Sequence, residues 1–498
     1  MSASRGGAPG PAAPGSTAAL ADLGPALTGA RPGTGTSCGG GVLVREAESP
    51  ADHDAYRRLR RHAFVDEQAL FRGSDRDDWD DHPAAVVLVA AAPDGAIVGG
   101  VRLTPGHPGR DLAWWHGSRL VVERSRRGQA ALGAALVRAA CATAEGRGAL
   151  RFEATVQRER SAFFRRLGWS HLGPATVAGR PHDRVRWPIG RIAAQVAATK
   201  APLAALLDGL RPGGDGWVGD DAAPVPGSDL LAACDAIVPA MVDRDPWWAG
   251  WCGVLVNLND ITVKGATPVG LLDAVGARTA SQARRVLAGV LAASEAWGVP
   301  ILGGHTTLGV HGSLSVTALG RAEHPVAAGG GVVGDDVVVA ADVGGSWRPG
   351  YAGRQWDSTT GRTPAELRAQ AEMVARWRPA AAKDVSMAGL VGTLGMLAEA
   401  SGAGADLDIA AVPAPVGVTL VDWLACFPGF AVVAADRPAP PDRGSAGAPP
   451  PARPGTAAGT VTSARCGRLR DGAGVDIVWP DGERIRVVDG PVTGLGQA

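Results

Sequence analysis

The sequence predicts a chain in two parts: an α+β unit over residues 41–188, followed from about residue 190 by an α/β domain. Three observations carry this reading. With 498 residues the chain is long enough for two or three domains with substantial cores. Residues 41–188 alternate strand-like and helix-like patterns. Between Gly219 and Asp384, acidic residues recur beside apolar, strand-like runs, a pattern the first part lacks.

The first 40 residues are mostly Ala, Gly, Pro, Ser and Thr, which predicts a disordered tail without the apolar core of a signal peptide. Gly41–Val44 then reads as a strand and residues 51–64 as a charged helix. The strand at 85–91 and its return at 97–103 flank Pro93-Asp94-Gly95, as in a hairpin. Asp77-Asp78 and Asp80-Asp81 read as solvated loop acids. A strand at 118–122 leads through an Arg/Gly turn at Arg124–Gly128 into an Ala-rich helix over 130–146. A strand at 150–156 and a helix over 161–167 complete the unit.

Strand, Arg/Gly turn and helix together make an anion cradle. The helix start presents unpaired N–H groups and a favourable dipole, and glycine lets the backbone approach a ligand. Residues Leu120 to Leu136 resemble the acetyl-CoA motif of the GNAT acetyltransferases. Ser161 to Trp169 resembles the helix that follows it, and Phe64-Val65-Asp66-Glu67-Gln68 the substrate-side helices of some members. The resemblance implies a GNAT-like mixed sheet with helices, and acetyl-CoA held by Leu120, Val122, Arg127, Gly128, Gly133 and Ala134. Ser125 stands where the family turn has Gln or Arg, and Phe164 where many members place a general-acid tyrosine. By chemistry alone Glu67, Glu153, His171 and His182 are the candidates to carry a proton, each with a purely structural role as the alternative.

In the second part, the pieces are Gly219-Asp220-Asp221-Ala222-Ala223, Asp235, Asn259-Asp260 with Gly265-Ala266-Thr267-Pro268, Gly303-Gly304-His305-Thr306, and Lys383-Asp384-Val385-Ser386. One Asp-Asp pair alone is best read as a cap or turn. The ordered set points to Mg²⁺, a hard ion usually shared between carboxylates and phosphates. Its order resembles the AIR synthase superfamily, which includes thiamine-monophosphate kinase and selenophosphate synthetase. The resemblance implies a two-lobed α/β domain, with an ATP-binding lobe over 190–330 and a C-terminal lobe over 331–498. It also implies ATP and Mg²⁺ as cofactors, Asp220, Asp221, Asp235, Asp260 and Asp384 as metal ligands, and Gly303, Gly304, His305 and Thr306 beside phosphate or nucleotide. Lys264, just past the Asn-Asp, is a candidate to neutralise a phosphate, with a surface lysine the commoner outcome, and a homodimer through the strands of the first lobe is implied.

No Gly-rich lysine segment precedes Asp220, which argues against selenophosphate synthesis. Ala236 to Val242 lacks the Glu and His that follow this Asp in thiamine-phosphate kinases. The reading is therefore a GNAT acyltransferase fused to an ATP-dependent enzyme acting on a small metabolite. The alternative is a thiamine-monophosphate-kinase-like enzyme with an acetyl-CoA-sensing GNAT domain. Lys plus Arg and Asp plus Glu both number 49, so no global basic field recruits nucleic acid or an anionic membrane. No apolar run approaches the roughly 18 to 20 residues that span a bilayer. Six scattered cysteines read as reduced thiols of a cytoplasmic protein. Residues 437–459 form a Pro/Ala/Gly-rich tract expected as a long loop, and 475–488 read as two strands around Pro480-Asp481-Gly482.

Overall fold

The computed structural model describes residues 36–38, 41–128, 130–438 and 461–498. The expected tail over 1–40 and the expected loop over 437–459 therefore lie almost wholly outside the described residues. One piece of the tail corrects the expectation: Thr36–Cys38 is a strand, β1, paired antiparallel with Val42–Val44. The outer edge of the next strand offers unpaired backbone groups, and even a Gly-rich neighbour segment can satisfy them.

The chain forms two compact units. The first holds the residues up to Gly109 and Ala113–Ile189; the second holds Arg110–Leu112 and Gly190–Ala498. In the first unit eight strands make one sheet: β1, β2 (Val42–Glu46), β3 (Val86–Ala91), β4 (Ile97–Pro105), β5 (Trp114–Val122), β6 (Arg151–Gln157), β7 (Ser170–Val177) and β8 (Arg180–Trp187). Their order is β1-β2-β3-β4-β5-β6-β8-β7, with β5 and β6 parallel and the other pairs antiparallel. Every residue of β3 is buried because both faces are covered. Val86, Leu88 and Ala90 pack with Leu132 and Leu136 of the Ala130–Gly146 helix, while Val87 and Val89 pack with Tyr56 and Phe64. The period-two alternation of a strand sends its apolar run to two cores.

The helix expected over 51–64 starts at Pro50, under a Ser49/Asp52 capping box, and ends at Arg61. A π-helical turn, His62–Glu67, continues it. The parallel register of β5 on β6 runs from Trp114↔Arg151 to Gly117↔Ala154 and stops there. Beyond it, Ser118–Val122 and Thr155–Gln157 remain strands but no longer pair with each other, so the sheet splays.

The second unit has three sheets. β9 (Ala223–Pro224), β10 (Leu230–Ile237), β11 (Thr267–Ala277), β12 (Ile301–Leu308) and β13 (Ser313–Arg321) order as β12-β11-β13-β10-β9. The helices Pro246–Val263 and Ala280–Trp297 share a core with this sheet. They approach closely at two glycines: a Cβ on Gly250 would lie 2.1 Å from the Val286 carbonyl oxygen, and one on Gly289 would lie 1.9 Å from that of Trp247. The remaining strands are β14 (Asp336–Asp342), β15 (Ser346–Trp347), β16 (Gln355–Asp357), β17 (Ala381–Asp384), β18 (Gly404–Asp408), β19 (Phe427–Pro428), β20 (Ala431–Asp436), β21 (Val461–Arg470), β22 (Val475–Val478) and β23 (Arg484–Val488). Seven of these form the sheet β17-β20-β14-β21-β18-β22-β23, and β15, β16 and β19 form a small third one.

The run leading to Asp260, read as strand-like, is instead the interior of the Pro246–Val263 helix, whose residues are buried on nearly every side. A helix enclosed all round loses its polar stripe, so its apolar run looks like that of a central strand.

Candidate functional site

Three of the five predicted metal ligands converge. Asp221 follows Gly219 in the turn before β9, Asp260 lies in the last turn of the Pro246–Val263 helix, and Asp384 ends β17. One carboxylate oxygen from each lies within 4.8 Å of the others. Asp260 and Asp384 are buried, and their carboxyls are hydrogen-bonded to each other, with the Lys383 ammonium acting on Asp384.

The electrostatics reflect this crowding. Burial, then the neighbouring charges of Asp384 and Asp235, push the Asp260 carboxyl well above its usual range. Burial, then the charge of Asp221, pushes Asp384 up to about 7. Asp221 behaves oppositely: burial raises it, but Lys264 and Lys383 outweigh burial and hold it low. Converging oxygens and crowded negative charge fit a hard divalent cation.

Asp220 is not among the converging groups, which corrects its assignment as a ligand. Its carboxylate accepts the N–H groups of Ala328 at 2.7 Å and Asp221 at 2.8 Å, and Lys264 Nζ sits 2.5 Å away. These partners turn it inward as an anchor of the metal-side turn. Lys264 is corrected too: fully buried, it donates to the Ala382 carbonyl at 2.6 Å, and its ammonium lies beside Asp220 and, at 3.0 Å, Asp221, so it faces carboxylates inside the fold. Asp235 stands on β10 beside the triad, its N–H donating to Asn257 Oδ1 at 2.9 Å. Part of it is open to solvent, yet the protein packed around its carboxyl raises its pKa.

Gly303, Gly304, His305 and Thr306 lie on β12, the edge strand, largely exposed. The register runs Asp235↔Val316↔Asp273↔Gly304 across the sheet, so Gly304 stands three strands from Asp235, roughly 14 Å at the usual spacing. The glycine at 304 is explained locally: a Cβ there would lie 2.7 Å from the Asp273 carboxylate.

In the first unit, the predicted turn is a 3₁₀ turn at Arg124–Arg126, then Gly128 at φ +100°, with the long helix starting at Ala130. A Cβ on Gly128 would meet nothing within 4 Å, so the open space faces this turn, and the positive φ explains the glycine. The Arg127 guanidinium donates to the Val122 carbonyl at 2.8 Å and pairs with Glu67, which clamps the turn to the π-helical segment. Leu120 and Val122 lie on the splayed stretch of β5, and Gly133 faces Phe163. Ala134, on the same helix, is buried.

Both units match known families. Residues 53–169 match the acetyltransferase (GNAT) family; residues 219–322 and 353–437 match the N-terminal and C-terminal domains of AIR synthase related proteins. An uncharacterized protein of Synechocystis sp. is 37% identical over 228 residues, 44% of this chain and 70% of that protein. The chain is an AIR synthase related protein fused to a GNAT domain. An uncharacterized protein of Methanocaldococcus jannaschii is 34% identical over 38% of this chain and 60% of its own length. A thiamine-monophosphate kinase of Methanospirillum hungatei is 30% identical over 20% of this chain and 35% of its own length.

Within the GNAT domain, none of the proton-carrier candidates is poised for transfer. Hydrogen bonding from Arg127 holds Glu67 low. Burial raises Glu153, but Arg151 and Arg186, at 3.0 and 2.5 Å, win and keep it ionised. His182 is buried with Nδ1 2.9 Å from the Arg180 carbonyl, and His171 Nε2 lies 3.6 Å from Asp183. Asp77 and Asp80 are corrected from solvated acids: they pair with Arg60, Arg102 and Arg119. In the AIR synthase related domain, two residues had no role assigned from the sequence. Lys383 pairs with Asp221 inside the site, and Asp273 is half-buried with its carboxyl raised by that burial. Lys383 stands in the Lys383-Asp384-Val385-Ser386 motif, whereas nothing in the spacing marks Asp273.

Proposed function

We propose that the AIR synthase related domain binds ATP with Mg²⁺ and uses it to phosphorylate or activate a small metabolite, while the GNAT domain transfers an acetyl group from acetyl-CoA to a small acceptor. The observation that carries the first half is the convergence of Asp221, Asp260 and Asp384, with burial and like charge raising two of the three. Mg²⁺ held there would neutralise phosphate charge, the main demand of phosphoryl transfer. The protein's part is placement: Lys264 and the Ala328 N–H fix Asp220, and Asp220 fixes the turn that presents Asp221. For the GNAT half, the support is the splayed β5/β6 pair beside the Gly128 turn and the start of a 17-residue helix. Such a turn offers backbone N–H groups to a pyrophosphate.

A second reading keeps the GNAT domain as a sensor that binds acetyl-CoA without consuming it. The engaged Glu67 and Glu153, and Phe164 packed against Trp169, favour it. Calorimetric titration of the whole chain with Mg-ATP and, separately, acetyl-CoA tests both. Binding of the two ligands supports two working sites, acetyl-CoA turnover separates enzyme from sensor, and Mg-ATP affinity unchanged by EDTA overturns the metal reading.

The chain pairs with a second copy through the β12 side of the five-stranded sheet. The support is apolar exposure along that edge, at Ile301, Leu302 and Leu308 with Leu272 beside them. Sedimentation of wild type as a dimer, and of Leu302→Glu as a monomer, is the expected result.

A further inference from the structure

Residues 492–498 lie against four glycines of the AIR synthase related domain. A Cβ on Gly395 would stand 2.5 Å from Val492 Cγ2, and one on Gly219 would stand 2.8 Å from Leu495 Cδ1. A Cβ on Gly402 would meet the Gln497 side chain at 3.0 Å, and one on Gly329 would meet Ala498 Cβ at 3.0 Å. Bare Cα atoms let the segment approach the backbone this closely. It is tied down at one carboxylate. Glu399, in the last turn of the Gly389–Ala400 helix, accepts the N–H groups of Val492 at 2.7 Å and Thr493 at 2.8 Å on one oxygen. Its other oxygen accepts the Thr493 hydroxyl at 2.9 Å and the Gly496 N–H at 3.2 Å. All the lone-pair sites of that carboxylate are thus used. The Ala498 N–H adds a bond to the Ala400 carbonyl at 3.1 Å.

Two of the four glycines flank the anchor of the metal-side turn. Gly219 precedes Asp220 and Asp221, and Gly329 follows Ala328, whose N–H holds Asp220 at 2.7 Å. Leu495 and Ala498 therefore pack on both chain segments that this hydrogen bond joins. Gly219 stands at φ +67° and bears no side chain of its own, so its place depends on what packs against it. Asp260 and Asp384 are fixed by a helix and a strand, whereas Asp221 lies in a turn. We propose that the segment 492–498, held by Glu399, positions Asp221 for the metal ion, with Glu399 and Leu495 as the positioning residues. This inference rests on the Mg²⁺ reading of the site. Lys264 and Lys383 set the charge on Asp221; the segment sets where its backbone stands.

The test reads metal affinity without nucleotide or turnover. The full-length chain, stripped with EDTA and dialysed, is titrated with Mn²⁺ alone while the free ion is read by electron paramagnetic resonance. Circular dichroism checks that each variant is folded. Leu495→Gly and Glu399→Ala are expected to weaken Mn²⁺ binding by about tenfold. Leu495→Met keeps an apolar side chain over Gly219 and is expected to bind within about twofold of wild type. A segment with a structural role alone would lower the urea midpoint of Leu495→Gly and leave its Mn²⁺ affinity unchanged, and that result overturns the proposal. Should Leu495→Gly not fold, Leu495→Ala decides in its place, with weaker Mn²⁺ binding expected and equal binding overturning. Failure of wild type to bind any Mn²⁺ has a different signature, because it removes the underlying metal site together with this inference.

Discussion

Each unit buries a cluster of opposite charges, and the two clusters are built to opposite ends. In the GNAT domain, Arg60, Arg102 and Arg119 face Asp75, Asp77 and Asp80, with Arg60 Nε 2.6 Å from Asp75 and Arg102 3.1 Å from Asp80. Charges match one for one. Burial alone would raise Asp80 and Asp77, but the arginine contacts overcome it and hold both low. In the AIR synthase related domain the carboxylates outnumber the lysines, and Asp260 and Asp384 are raised. A matched buried network is finished when the chain folds, whereas an unmatched one waits for a cation. Burial and acidity are common to both clusters, so neither distinguishes architecture from function; the charge balance does.

The largest effect should come from breaking the matched cluster. Arg60→Met leaves three carboxylates facing two arginines, with the Asp75 and Asp80 side chains buried, and is expected to cost about 3–5 kcal/mol, read as a lower urea midpoint for the GNAT domain. An unchanged midpoint would mean the network adds nothing. The unmatched cluster should respond the other way. Asp260→Asn is expected to weaken Mg²⁺-dependent ATP binding by more than about tenfold, or roughly 1.4 kcal/mol, with no loss of stability, because it removes a like charge. Near-wild-type Mg-ATP affinity in calorimetry would sink the metal assignment.

Acid and base should separate the clusters further. Asp384 binds its proton more tightly folded than unfolded, so in EDTA the AIR synthase related domain is expected to lose stability as pH rises from about 4 to about 7. Saturating Mg²⁺ should abolish that slope. Asp80 is lowered, so its contribution is present above about pH 4 and lost as pH falls through its folded pKa. Hydrogen exchange resolved to each domain measures both trends, and slopes of the same sign would refute the contrast. The smallest effect is Arg127→Ala. Losing the clamp between Val122 and Glu67 should weaken acetyl-CoA binding by about 1 kcal/mol, roughly fivefold; equal affinity would show that the clamp does not shape the cradle.

Asp221, Asp260 and Asp384 were legible because their motifs are local. Gly219-Asp220-Asp221, Asn259-Asp260 and Lys383-Asp384 each mark a short segment, and their order along the chain singled out the acids. The hairpin around Pro93-Asp94-Gly95 and the strands around Pro480-Asp481-Gly482 were legible for a similar reason, since turn chemistry is set by two or three adjacent residues. The Asp260 segment shows where local reading fails: with nearly every face buried, the helix carries no polar stripe to give its period.

What the sequence determined by itself was therefore the two-part organisation, most elements of the GNAT sheet and the acids that could meet a metal. What the tertiary structure decided was their division of labour. Asp220 and Asp221 are neighbours of identical chemistry, yet one is saturated by the Ala328 N–H and Lys264 while the other opens toward Asp260 and Asp384. The Asp77–Asp80 loop becomes structural in the same way, through Arg60, 20 residues before Asp80, and Arg102, 25 residues after Asp77. A carboxylate's role depends on which cation shares its low-dielectric surroundings, and those partners are brought together only by packing.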